Sequence, residues 1–178
     1  MNIWLRRTLM AAFVLGAGAV GVWSGMAHQP KLDAAPAMTV DRLDALKLGD
    51  SNGNAMPFSA WRGKLLVVNF WATWCAPCRE EMPAFSRLAG RLRDRGVQFV
   101  GISIDSAENV RTYLKEVPID YPLLVGGADA IQVSSDLGNA SQGMPFTVIF
   151  APDGTLITRK LGAYKEAELE AILLAKLH

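Results

Sequence analysis

The chain has 178 residues, a formal net charge of +1 and an apolar share of 51%. That length suits one domain with an appendage, and the apolar share is ample for a core. Lys and Arg number 18 against 17 acids and do not cluster, which excludes a nucleic-acid footprint, and two cysteines exclude a disulfide-rich scaffold.

At the N-terminus, Arg6 and Arg7 precede Thr8 to Met26, a run without a charged residue. As a helix it would span roughly 28 Å at ~1.5 Å per residue, close to the ~30 Å hydrocarbon layer. Trp4 and Trp23 stand near its ends, where indoles favour the membrane interface. Residues 1–27 are read as an uncleaved transmembrane anchor, with the arginine pair in the cytoplasm and the rest of the chain exported. The competing reading is a cleaved signal peptide, for which Gly25-Met26-Ala27 and Ala35-Pro36-Ala37 offer small residues at the needed spacing. Gly21 and Gly25 form a GxxxG, weak evidence for dimerisation in a run so rich in small residues. Residues 28–41, with Pro30, Pro36 and several alanines, read as a linker, which leaves 42–178 as the folded domain.

Residues 64–72, KLLVVNFWA, form a continuous apolar run with β-branched and aromatic members, as in a buried strand. Apolar residues at 82, 85, 88 and 92 predict a helix over 79–95, ended by Gly96. A second strand follows over 97–105, a helix over 107–117 and a short strand over 121–125. Residues 147–162 read as two strands joined at Pro152-Asp153-Gly154, and 165–177 as a closing amphipathic helix. Strands alternating with helices and ending in a hairpin imply a mixed sheet covered on both faces.

The chain's two cysteines, Cys75 and Cys78, stand in WCAPC at the start of the first long helix. A bond between them closes almost no loop and so makes a poor staple. A zinc site would need two more ligands, and the only histidines, His28 and His178, lie in the linker and at the terminus. Covalent haem attachment would need a histidine where Arg79 stands. No metal and no cofactor is therefore expected, and reversible redox chemistry remains. Cys75 sits at the helix N-terminus, where the dipole and free N–H groups stabilise a thiolate, so it should attack. Cys78, one turn in, should be more buried and resolve the mixed disulfide.

With these residues in view, NFWATWCAPCREEMP resembles the thioredoxin superfamily, most closely its membrane-anchored TlpA/ResA-like branch of exported thiol–disulfide oxidoreductases. The resemblance covers roughly residues 38 to 178, including SNGNAMPFSAWRGK before the first core strand and GMPFTVIFAPDGTL near the end. It implies a thioredoxin fold, a central mixed sheet flanked by helices, with an N-terminal β extension and an N-terminal transmembrane helix. It implies a cis Met144–Pro145 bond, with Pro145 beside the dithiol where substrate peptides dock, and a kink at Pro83 in the active-site helix. Asn69 stands where thioredoxins usually bury an Asp, and Gly101 where they carry its Lys partner. Glu81 matches the Glu of the branch's C-x-x-C-x-x-E-x-P pattern, which makes it the candidate for proton transfer and thiol tuning, while Glu80 reads as solvated. Trp74 matches the active-site indole that edges the substrate groove, and Met144 replaces the Thr often found before the cis-proline.

The resemblance implies a protein that reduces disulfides of substrate proteins and is itself re-reduced by a membrane conduit of the DsbD/CcdA type. It implies attachment to a bacterial inner membrane with the catalytic domain in the periplasm, or a cleaved form soluble there; apocytochrome c fits as a client. A disulfide-forming oxidase of the DsbA type would carry a histidine between its cysteines and a long helical insertion. A thiol peroxidase would carry Thr three residues before the reactive cysteine, where Ala72 stands. A non-enzymatic tethered binding module would not need the dithiol.

Overall fold

The computed structural model describes residues 39–177. The apolar N-terminal run, and with it the expected anchor, lies outside the described residues; among these, no helix is long and apolar enough to cross a membrane.

Five strands form one sheet in the order β3-β2-β1-β4-β5. They are β1 Leu65–Trp71, β2 Val97–Ser103, β3 Leu123–Val125, β4 Phe146–Phe150 and β5 Leu156–Leu161. β1 pairs parallel with β2 and antiparallel with β4, so the sheet is mixed, as expected. Every residue of β1 is buried, because both faces of this central strand are covered. Leu65, Val67 and Trp71 face a core built with Met82, Phe85 and Leu88. Leu66, Val68 and Phe70 face a second core with Leu43, Phe58 and Trp61.

The helices are α1 Asp41–Asp44, α2 Ala76–Leu92, α3 Ala107–Glu116, α4 Gly127–Asp136 and α5 Glu166–Leu174, with a 3₁₀ turn at Phe58–Trp61. The stripe at 82, 85, 88 and 92 is the buried face of α2. This helix begins at Ala76, three residues before the start predicted at 79. Pro77 in its first turn fits there, because the N–H it lacks would have had no helical partner. Pro83 cannot donate to the carbonyl four residues back, yet the helix continues through it to Leu92. Gly96, at φ 85°, then turns the chain into β2.

The structure corrects the sequence reading in three places. The N-terminal β extension contains no strand among the described residues. Asp50 Oδ1 accepts from the backbone of Asn52 and Asn54, closing a tight loop, and Gly49 makes single bridges to Ala55 and to Val125 on the edge strand β3. Thr39, Val40 and Asp41, assigned to the linker by composition, belong to the folded unit: Thr39 bridges Thr155, Val40 is buried, and Asp41 opens α1. Helix α4 was not expected, since it starts at a glycine pair and buries the small residues Ala130 and Ser134.

Candidate active site

The dithiol stands where β1 hands over to α2, at the C-terminal end of the central strand. Cys75 is the N-cap of α2, and Cys75 Sγ accepts a hydrogen bond from the Cys78 backbone N–H at 3.3 Å. Cys75 and Cys78 are joined in a disulfide with S–S 2.10 Å and Cα–Cα 5.3 Å. Cys75 retains only 6% of its accessible surface in this oxidised state, while Cys78 has none. The order of accessibility is therefore the expected one. Trp74 is 68% exposed and stands beside the disulfide as a large apolar side chain facing solvent. The Thr73 hydroxyl donates to the Asp105 carboxylate, which ties this loop to the end of β2.

The Met144–Pro145 bond is cis. Phe146, the next residue, pairs with Phe70, so the proline loop enters the sheet at the end of β1 from which the dithiol springs. Met144 packs against the core that contains Cys75 and Cys78. The Gly162 N–H donates to the Pro145 carbonyl at 2.8 Å and fixes the loop to the end of β5.

Glu81 lies one turn after Cys78 on α2 and is 3% exposed, whereas Glu80 faces solvent. Glu81 Oε1 accepts from Asn69 Nδ2 at 2.8 Å, and Oε2 accepts from the Tyr164 backbone N–H at 2.9 Å. Burial raises the Glu81 pKa from the usual 4.5 to about 7, against the opposing pull of those two donors and of the Lys160 charge. The carboxyl therefore changes charge near neutral pH. Asn69 also donates to Thr147 Oγ1 at 3.0 Å. At Gly101 a side chain has no room, since a Cβ there would lie 2.4 Å from Leu123 Cδ2 and 3.2 Å from Trp71 Nε1. The structure thus gathers Cys75, Cys78, Glu81 and Asn69 around one helix start. Two contributors escaped the sequence reading: the Tyr164 N–H, a backbone group with no side-chain signature, and Thr147, which reads as an ordinary strand residue.

Among the described residues no group of His, Cys, Asp and Glu could hold a metal ion. A groove of about 890 Å³ lined by Leu46, Leu48, Pro57, Ala107 and Val125 includes neither cysteine.

The AhpC/TSA family model matches residues 32–160. The chain belongs to the AhpC/TSA family. Among relatives of this AhpC/TSA member, the thiol-disulfide oxidoreductase ResA of Bacillus cereus is 27% identical over 126 residues, covering 70% of each chain. ResA of Oceanobacillus iheyensis is 26% identical over 177 residues, covering 97% of this chain and 88% of the relative. The crystal structure of a thioredoxin-related protein from Neisseria meningitidis superimposes with a TM-score of 0.64 at 33% identity, covering 72% of this chain and 97% of that one. With the cysteine pair in place, this family member is a thiol–disulfide oxidoreductase of the TlpA/ResA-like branch of the thioredoxin superfamily.

Proposed function

We propose that the protein is an exported, membrane-tethered reductant of substrate protein disulfides. The observation that carries this reading is the buried carboxyl of Glu81 one turn beyond Cys78. Oxidising dithiols owe their high potential to a stabilised thiolate. A carboxylate held beside the sulfurs has the opposite effect: it disfavours the thiolate, weakens the reduced form and makes the dithiol a better electron donor.

In the forward reaction, Cys75 thiolate attacks one sulfur of a client disulfide. That bond breaks, one client thiolate leaves, and a mixed disulfide forms on Cys75. Cys78 gives its proton to Glu81 and attacks Cys75 Sγ, releasing the second client thiolate. Two electrons have passed to the client, and the enzyme is left as the Cys75–Cys78 disulfide seen here. Trp74, Met144 and Pro145 border the groove in which the client strand lies. Ala72, buried where a peroxidase would present a threonine hydroxyl, gives a peroxide nothing to bind.

Such a protein working in a periplasm requires re-reduction, which we assign to a membrane thiol conduit of the DsbD/CcdA type. The N-terminal run is its membrane attachment, and cytochrome c maturation is the process that uses it. The equilibrium potential against glutathione tests the direction. A value below about −230 mV supports a reductant, and one near about −120 mV overturns it in favour of an oxidase.

A further inference from the structure

Glu81 must be ionised again before it can take another Cys78 proton, yet it is 3% exposed. Its surroundings form a row across the sheet. Gly101 on β2 pairs with Asn69 on β1, Asn69 with Thr147 on β4, and Thr147 with Lys160 on β5. Directly paired residues point to the same face of a sheet. The Asn69 amide reaches Glu81, so Lys160 leaves β5 on the Glu81 side.

Lys160 Nζ stands 4.4 Å from the centre of the Tyr164 ring, and the Tyr164 backbone N–H is the donor to Glu81 Oε2. The same ammonium donates to both carboxylate oxygens of Glu168, at 2.9 and 2.8 Å. Lys160 is 31% exposed and Glu168 43%, so these side chains lead from the buried carboxyl toward water. The other ionisable groups near Glu81 are Cys78 on its own helix, Tyr121 ahead of β3 with Tyr113 of α3 behind it, and Tyr164. The Tyr113 and Tyr121 hydroxyls are buried and without partners, and Arg79 lies 5.6 Å from the Tyr113 ring centre. On the Tyr164 side stand two cations, Lys160 and Lys165, both acting on Glu168, and of these Lys160 is the one that acts on Glu81.

We propose that Lys160 is a positioning residue for Glu81, its ammonium, held over Tyr164 by Glu168, drawing the carboxyl back to the ionised state that accepts the next Cys78 proton. This rests on the reading of Glu81 as proton acceptor. The proton that Cys78 gave to Glu81 passes to solvent, and Lys160 stays charged throughout. A cation at that place favours the carboxylate by Coulomb attraction, while the Glu168 charge works against it.

The test is a carbon-13 titration of the Glu81 carboxyl in the oxidised full-length protein, where neither cysteine ionises. Lys160→Gln should raise the midpoint by about half a pH unit, Lys160→Arg should leave it near the parent value, and Glu168→Gln should lower it. Loosened packing would not move the two charge changes in opposite directions. If Lys160→Gln leaves the midpoint in place, or Lys160→Gln and Lys160→Arg titrate alike, the proposal is overturned. The pH profile of mixed-disulfide resolution separates it from its premise. A profile that follows Glu81 in the parent protein but ignores Lys160 sinks the Lys160 role alone. A profile unchanged by Glu81→Gln sinks the premise, and the catalytic role of Lys160 with it.

Discussion

Replacing Glu81 with glutamine keeps the shape of a buried side chain and removes its charge. The unfolded chain loses the Glu81 proton near 4.5, while the folded protein holds it to about 7. Between those values the folded state binds more protons, so Glu81 makes stability fall as pH rises through that window. The gap corresponds to about 3 kcal/mol at ~1.36 kcal/mol per pH unit. Below pH 4.5 both states are protonated and the penalty vanishes. The new amide can keep the Tyr164 N–H through its oxygen and turn its NH2 toward Asn69, whose buried Oδ1 has no partner in the present arrangement. Rotation of the Asn69 amide then satisfies the pair. Urea unfolding of the oxidised proteins should find Glu81→Gln more stable than the parent at pH 8, by up to about 3 kcal/mol, with the advantage shrinking toward pH 4.5. An advantage that does not change with pH would show that Glu81 has an ordinary pKa. In the reduced enzyme the same substitution should lower the alkylation pKa of Cys75 and slow resolution of mixed disulfides. Glu80→Gln, on the solvent face, should do neither.

Cys75→Ser should abolish disulfide exchange, and Cys78→Ser should accumulate mixed disulfides with clients on non-reducing gels; ready alkylation of the Cys78→Ser protein without trapping would mean the roles are reversed. Trp74→Ala should leave unfolding free energy within about 0.5 kcal/mol, as expected of an exposed side chain, while raising KM for a protein client. An unchanged KM would remove Trp74 from the groove. Gly101→Ala should destabilise by about 1–3 kcal/mol, because its Cβ would meet Leu123 Cδ2 at 2.4 Å. A neutral result in urea unfolding would show that Leu123 simply moves aside. If residues 1–27 are an uncleaved anchor, the full-length protein should resist carbonate extraction and an alkaline phosphatase fusion after residue 40 should be active. Recovery of a soluble form starting near His28 or Met38 would refute the anchor.

The sheet and the long helix were legible because their signals are strong. The run at 64–72 is apolar throughout, the stripe from Met82 to Leu92 has helical spacing, and Pro152-Asp153-Gly154 closes its hairpin with Gly154 at φ 87°. Helix α4 was not legible, since its buried face is made of Ala130 and Ser134 and it opens on Gly126-Gly127. The β extension was overread because a motif specifies residues, whereas the Asp50 turn and the single bridges of Gly49 are set by local hydrogen bonding. At the site, the two cysteines followed from their spacing together with their place at a helix start and the lack of ligands for zinc or haem. Glu81 was told from Glu80 through the family pattern, and helical spacing agrees, since Glu81 stands four residues before Phe85 on the buried stripe and Glu80 does not. Asn69 reads in the sequence as a missing acid, and only the fold shows it donating to the acid that replaces it. The Tyr164 amide comes from 83 residues away and could not be read from any local pattern.

The bond from the Cys78 amide to Cys75 Sγ has a consequence for how the cycle runs. A helix cap is ordinarily a spectator that keeps the first turn wound. Here it is the atom at which covalent bonds are made and broken. Sulfur keeps lone pairs as a thiolate, as a mixed disulfide and as the closed disulfide, so the Cys78 amide faces an acceptor in each form. The first turn of α2 need not unwind when a client is captured or discharged. Turnover then becomes an exchange of substituents on a fixed anchor, with the reorganisation carried by the client.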